Sequence, residues 1–216
     1  GYLDAIIDAQ KKVYGYYFLN ELLDDSILKE LQRVYPTDPN SPNVMKPRDI
    51  YGDYVLARQV TALERREILS LLGQKMPEYD IKLFTNNAQT DIEGIKVYGQ
   101  VDYSTQMPYV FANSKINLNI SLRSIKTGIP LRVFDIMGCK GFLMTNYQEE
   151  MLQYFEAGAE FVFYENYEDL ADKAEYYLTH DKERKEIAEN GYRKVCAEHT
   201  ITGRIREITA ILEEHK

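Results

Sequence analysis

The stretch SIKTGIPLRVFDIMGCKGFLMTN, Ser124–Asn146, decides how this sequence folds. It holds a Gly-Ile-Pro turn, a short apolar helix carrying Arg132 and Asp135, a Gly-Cys-Lys-Gly turn and an apolar strand at 142–145. A helix start carries unpaired N–H groups and the positive end of a dipole, and so attracts phosphate. Gly128 lets the backbone approach a ligand closely, and Pro130 suits a first helical position. The same tripeptide also serves as an ordinary helix start. Arg132 falls in the first turn, where the dipole disfavours a cation. A bound diphosphate would offset that through charge-assisted hydrogen bonds, and so would an ion pair with Asp135 one turn on. Asp135 sits in the otherwise apolar run FDIMGC. It either accepts the two hydroxyls of a ribose or is a buried partner of Arg132.

Working outward, KINLNI (115–120) alternates, with Ile116, Leu118 and Ile120 on one face, and supplies the strand before that helix. DIKLFT (80–85), IKVYG (95–99) and EFVFY (160–164) read as further strands. Helices are expected over 104–114, 147–156, 166–179, 181–197 and 201–214. Thr200 is a good N-cap for the last of them, whose stripe is Ile201, Ile205, Ile208 and Leu212. Strands alternating with helices imply an α/β fold, a Rossmann-like parallel sheet with helices on both faces. Ligands of such sheets bind beyond the carboxyl ends of the strands. Loops 85–94, 99–104 and 121–130 gather there.

Before the sheet, residues 2–35 read as two helices: one with Leu3, Ile6, Ile7, Val13 and Tyr14 as its stripe, one with Leu22 to Val34. A Pro-rich linker follows, YPTDPNSPNVMKPRD, with Pro36, Pro39, Pro42 and Pro47. A long helix over 50–73 ends at Gly73. The division expected is a helical lead-in with linker at 1–49 and a Rossmann-like domain at 50–216.

The chain has 216 residues, 44% hydrophobic and 28% charged, enough for a sizeable core. No apolar run approaches the ~20 residues of a membrane span. The opening GYLDAIIDAQ is an amphipathic helix without an initiator Met; it reads as the start of a fragment or of a processed chain, not as a signal peptide. The net charge of −8 disfavours a nucleic-acid partner. Cys139 and Cys196 lie in apolar helical patterns and read as buried free thiols of a reducing cytoplasm. His180, His199 and His215 are too scattered for a metal site, and His199 needs a partner to be catalytic. Lys115 and Lys126 are candidates for extra charge at the site mouth. Tyr98, Tyr103, Tyr109 and Phe111 read as core, with base stacking as their alternative.

The segments SKINLN, G-x-x-x-R-x-F-D at Gly128, GFLMT, GAEFVFYENYEDL, R-x-x-I-A-x-x-G and EHT, in this order from Ile81 to Ile208, resemble one family. It is the C-terminal half of GT-B glycosyltransferases of the group 1 type, in the CgeB-like (spore maturation protein B-like) branch. The resemblance implies a two-domain enzyme whose C-terminal half holds a nucleotide-sugar donor, UDP- or GDP-linked, without an obligatory metal or other cofactor. Gly128 and Ile129 would offer N–H groups to the diphosphate, Arg132 would reach the same phosphates, and Asp135 would take the place of the ribose-binding Glu. The loop after Tyr98-Gly99 would border the base. Two departures stand out. Thr127 occupies the place of the first Glu of the family's E-x7-E motif, and Asp135 is one methylene shorter than the usual second. Residues 1–49 are too few and too helical for the N-terminal acceptor domain, so that domain and the acceptor are expected partners outside this stretch. A GT-B-type epimerase and a non-catalytic module that kept the fold are the alternatives.

Overall fold

The computed structural model describes residues 2–13, 16–34, 36, 38, 46–87 and 89–214, with the side chains of Tyr2 and Leu3 excepted. Tyr14, most of the Pro-rich linker and His215 lie outside the described residues. The chain opens with α1 (Tyr2–Lys11), α2 (Leu19–Leu22) and α3 (Asp25–Val34). A short α4 (Pro47–Asp49) runs through a π-helical turn at Ile50–Leu56 into the long α5 (Ala57–Lys75). The two helices expected before residue 35 are three. The second is broken between α2 and α3, where the Asp24 carboxylate takes the N–H groups of Ser26 and Ile27, both at 2.9 Å; fully buried Gln10 ties the end of α1 to the segment before α2, donating to Tyr16 O and accepting from Phe18 N, both at 2.9 Å.

Two parallel sheets follow. β1 (Ile81–Phe84) pairs with β2 (Ile95–Tyr98), Ile81 opposite Ile95. β3 (Asn117–Asn119), β4 (Leu143–Asn146) and β5 (Val162–Tyr164) form the second, in the order β3-β4-β5. The interspersed helices are α6 (Met107–Asn113), α7 (Leu131–Gly138), α8 (Met151–Tyr154), α9 (Tyr167–Thr179), α10 (Asp181–Glu198) and α11 (Ile201–Glu214). This is the Rossmann-like α/β architecture that the alternation implies. The helix starting near 104 is delayed to Met107 because the Asp102 carboxylate takes the N–H groups of Ser104 and Thr105, at 3.0 and 2.7 Å.

Alternation along the strands divides the core. Phe142, Met144, Val162 and Tyr164 meet Ile68 and Leu72 of α5 and Leu170, Ala171 and Ala174 of α9. Leu143 and Phe161 meet Val133, Ile136 and Met137 of α7 and Val195 of α10 on the other side. Ile116, Leu118 and Ile120 face the α5 side as expected. Asn117 and Asn119 are therefore turned inward and buried, and each is hydrogen-bonded: Asn117 to Phe111 O, Asn119 to Ser121 and Thr145, all at 3.0 Å. A third cluster joins Ile6, Ile7, Leu19, Leu23, Ile27 and Leu31 to Tyr51, Leu56 and Val60, so the N-terminal helices pack on the start of α5.

Gly73 does not end α5. The helix runs on to Lys75, and Gly73 instead lets the β1–β2 turn cross it: a Cβ there would lie 2.2 Å from Glu93 O. Cys196 is exposed rather than buried, because Ile187, Ala188, Gly191 and Val195 form the inner face of α10 and Cys196 lies one step past it; Cys139 is half-buried. Thr200 caps α11 as expected, accepting Gly203 N–H at 3.1 Å. The α11 stripe forms but is bare: Ile201 is 81% exposed and Leu212 62%. Among the described residues no helix is long and apolar enough to cross a membrane.

Candidate functional site

The 121–130 loop leaves β3 at the carboxyl edge of the sheet and is fastened at several points. Ser121 N–H donates to Asn146 Oδ1 at 2.8 Å, and Arg123 N–H to Thr61 Oγ1 at 3.0 Å. The Arg123 guanidinium forks onto the Glu64 carboxylate of α5, Nε to Oε2 at 2.8 Å, with 8% and 1% of the two residues exposed. Its Nη1 also donates to Val13 O at 3.0 Å. Lys126 pairs with Asp53 at 3.0 Å and so is already engaged. Lys115 lies before β3, at the opposite edge, where its charge acts on Asp181; it is not a member of the mouth.

The loop ends in Gly128, at φ +90° with open space where a Cβ would point. That left-handed backbone is the reason for glycine here. Gly128 N–H donates to the Glu150 carboxylate, from the turn after β4. Pro130 is the N-cap residue rather than the first helical one, with its carbonyl accepting Val133 N–H at 3.0 Å.

Arg132 is exposed. Its guanidinium lies over Phe111 at 5.5 Å and over Tyr103 at 5.9 Å, with Nη1 3.9 Å from Met107 Sδ. Asp135, half-buried, accepts a hydrogen bond from the Tyr103 hydroxyl, and that carboxylate holds the phenol above its usual pKa. No Arg132–Asp135 ion pair occurs among the described residues. Tyr103 takes both roles instead, its ring under one group and its hydroxyl on the other.

Arg132 and Asp135 thus meet at Tyr103, while Gly128, on Glu150, and Ile129, packed against the core on the α7 side, lie just ahead of the same helix. Tyr98 and Gly99 lie at the carboxyl end of β2, with Tyr98 stacked on Phe84 at 5.3 Å and open space at Gly99. Of the four aromatics read as core, only Phe111 is buried; Tyr98, Tyr103 and Tyr109 are 42%, 53% and 72% exposed. They follow strand ends or ride the outer face of α6, where the sheet gives no cover. His199 is wedged among Phe134, Phe155 and Tyr154 at 5.5, 4.9 and 5.9 Å. Desolvation and the Arg204 charge push its pKa down, and its Nδ1 lies 2.7 Å from Arg204. It is a packing residue.

The profile of the family described as glycosyl transferase-like matches residues 58–210. The chain belongs to the glycosyl transferase-like family. Among curated proteins none matches it. The crystal structure of a glycosyltransferase from Rickettsia africae ESF-5 superposes with a TM-score of 0.54 at 14% identity, covering 94% of this chain and 55% of that one. At that identity the likeness is one of fold, and the chain spans about half the length of that protein.

In this glycosyl transferase-like chain, sequence reasoning missed Glu64, Glu150 and Arg65. Arg65 Nη2 donates to Ile120 O, at the end of β3, at 2.9 Å. All three sit far along the chain from the residues they touch, so neither spacing nor periodicity joins them. The only signal was the charge-rich run ERRE at 64–67, which alone reads as a solvated helix face.

Proposed function

We propose that the chain is the donor-binding half of a GT-B glycosyltransferase of the group 1 type, CgeB-like branch, holding a UDP- or GDP-linked sugar at the start of α7. One observation carries this reading. Gly128 N–H already holds a carboxylate oxygen, and one turn on stands Arg132, with no carboxylate partner among the described residues. A diphosphate offers oxygens that can accept from both of these donors. Gly128 and Ile129 give their N–H groups to the phosphates and Arg132 reaches the same oxygens. Asp135 takes the ribose hydroxyls once Tyr103 yields its bond. Tyr98 and Gly99 border the base. Arg132 and the dipole of α7 then take up the charge that develops on the departing diphosphate. Transfer itself needs an acceptor and a second half to close a dry cleft over the donor. In the Rickettsia relative, 45% of the length has no counterpart in this chain.

A second reading, a module that kept the fold without the chemistry, is favoured by Glu150 on Gly128 N–H and by Thr127 where the family's first acid would stand. Calorimetric titration with UDP, GDP and ADP separates the two. The donor reading predicts binding of UDP or GDP, weakened by about 1.5–3 kcal/mol in Arg132→Ala, the scale of a hydrogen bond to a charged group. Binding unaffected by Arg132→Ala moves the site elsewhere, and the absence of any nucleotide binding supports the module.

A further inference from the structure

α11 is the helix that the rest of the fold leaves uncovered. None of its residues is buried, and all but Gly203 are exposed. Its composition does not offset that, because Gly203 and a run of Ile and Thr lower its helix propensity. A helix of 14 residues is marginal by itself in water and takes its stability from packing. The apolar residues are nonetheless ordered. Ile201, Ile205, Ile208 and Leu212 step by four, three and four, the spacing of a two-heptad seam, and each is more than half exposed. The charges of α11 run against its own dipole. Arg204 and Arg206 lie in its first half, while Glu213 and Glu214 stand in its last turn, at the negative end. Arg204 is engaged by Glu207 at 2.8 Å and by His199 Nδ1 at 2.7 Å. Glu213 and Glu214 have no ion pair among the described residues.

We propose that α11 is a self-association surface through which two copies of the chain pair, antiparallel about a two-fold axis. Ile201 meets the partner's Leu212, and Ile205 meets the partner's Ile208. In that register the partner's Glu213 and Glu214 come level with Thr200 and His199. They then stand at the positive end of this helix's dipole, one turn from Arg204, and the two dipoles oppose each other. A parallel copy would instead bring all four carboxylates together and align the dipoles. Charge complementarity therefore favours a second copy in this one orientation. A seam of four side chains a side is small for a specific interface, under about 1,200 Å² in all, so the pair is weak and depends on concentration. The surface lies on α11, and the proposal is independent of the donor-site reading.

The test is sedimentation velocity of the 216-residue chain from micromolar to submillimolar concentration, with Ile205→Asp on the seam and Val34→Asp as an exposed apolar control on α3. The wild type should pass from monomer to dimer over that range. Ile205→Asp should raise the dissociation constant about tenfold or more, and Val34→Asp should leave it within about twofold, with the melting temperature of the monomer held in both. Orientation is read by mixing Ile201→Cys and Leu212→Cys chains, each also carrying Cys196→Ser, and oxidising them mildly. The antiparallel seam predicts disulfides between position 201 of one copy and position 212 of the other. A chain that stays monomeric throughout overturns the proposal and leaves the stripe to a partner of another sequence. A dimer indifferent to Ile205→Asp, or disulfides joining 201 to 201 and 212 to 212, would overturn it as well.

Discussion

Glu150 holds the Gly128 N–H that the proposed donor needs, and it brings a negative charge to the place where phosphates would sit. The ligand must displace it. Glu150→Ala therefore should tighten nucleoside diphosphate binding by about threefold or more, since a competing acceptor and a like charge leave together. Titration of that variant checks it, and weaker binding would mean that Glu150 itself supports the ligand. At this scale the sequence was readable only in part. Gly128 as a left-handed turn residue and Arg132 as an odd cation in a first turn follow from local rules. The partner of Asp135 does not. The i, i+3 spacing favours Arg132, yet Tyr103, brought in by the turn ahead of α6, takes the carboxylate while its ring lies beneath the guanidinium. Such a pairing depends on how β2 and α7 sit in space, which no short-range pattern encodes.

Between elements, the buried Arg123–Glu64 pair clamps the loop after β3 to α5, and a further bond to Val13 O ties in the end of α1. Glu64→Gln leaves a buried guanidinium without its counter-charge, a change that costs about 3–5 kcal/mol. Urea unfolding should show the midpoint falling with its slope unchanged, and a loss under about 1 kcal/mol would show that the pair is dispensable. His199 gives a pH signature to the junction of α7, α8 and α10. Its pKa is depressed in the fold by desolvation, then by Arg204 and Lys194 against the opposing Glu198 and Glu207. As pH falls through about 6.5, the unfolded chain takes up this proton before the folded one, so stability declines on acidification. Unfolding free energy measured between pH 7 and 5 should fall more steeply for the wild type than for His199→Phe, and parallel slopes would contradict the assignment. Strand and helix order was legible because apolar periodicity switches cleanly after Lys75. The splitting of the strands into a pair and a triple, and the N-terminal helices closing around Tyr51, were not, since both depend on long-range packing.

For the whole molecule, the family match across 58–210 and the fold shared with the Rickettsia glycosyltransferase agree with what the alternating pattern implies. Both core faces of the β3–β5 sheet are covered within the chain, while α11 presents its isoleucines to solvent and the carboxyl edge presents Arg132, Tyr103 and Tyr98. Exposed Arg132, Tyr103 and Tyr98 thus stand at the edge where α/β sheets hold ligands. The central claim is that a nucleoside diphosphate binds at that edge, at the start of α7. Residue-resolved NMR titration of the labelled chain with UDP and with GDP tests it most directly. The account predicts that one of them moves the backbone amides of Gly128, Ile129, Leu131, Arg132 and Asp135 most, followed by those of Tyr98 and Gly99. Shifts gathered elsewhere, for example around Thr179–Glu186 at the start of α10, with the 128–135 amides unmoved, would contradict it.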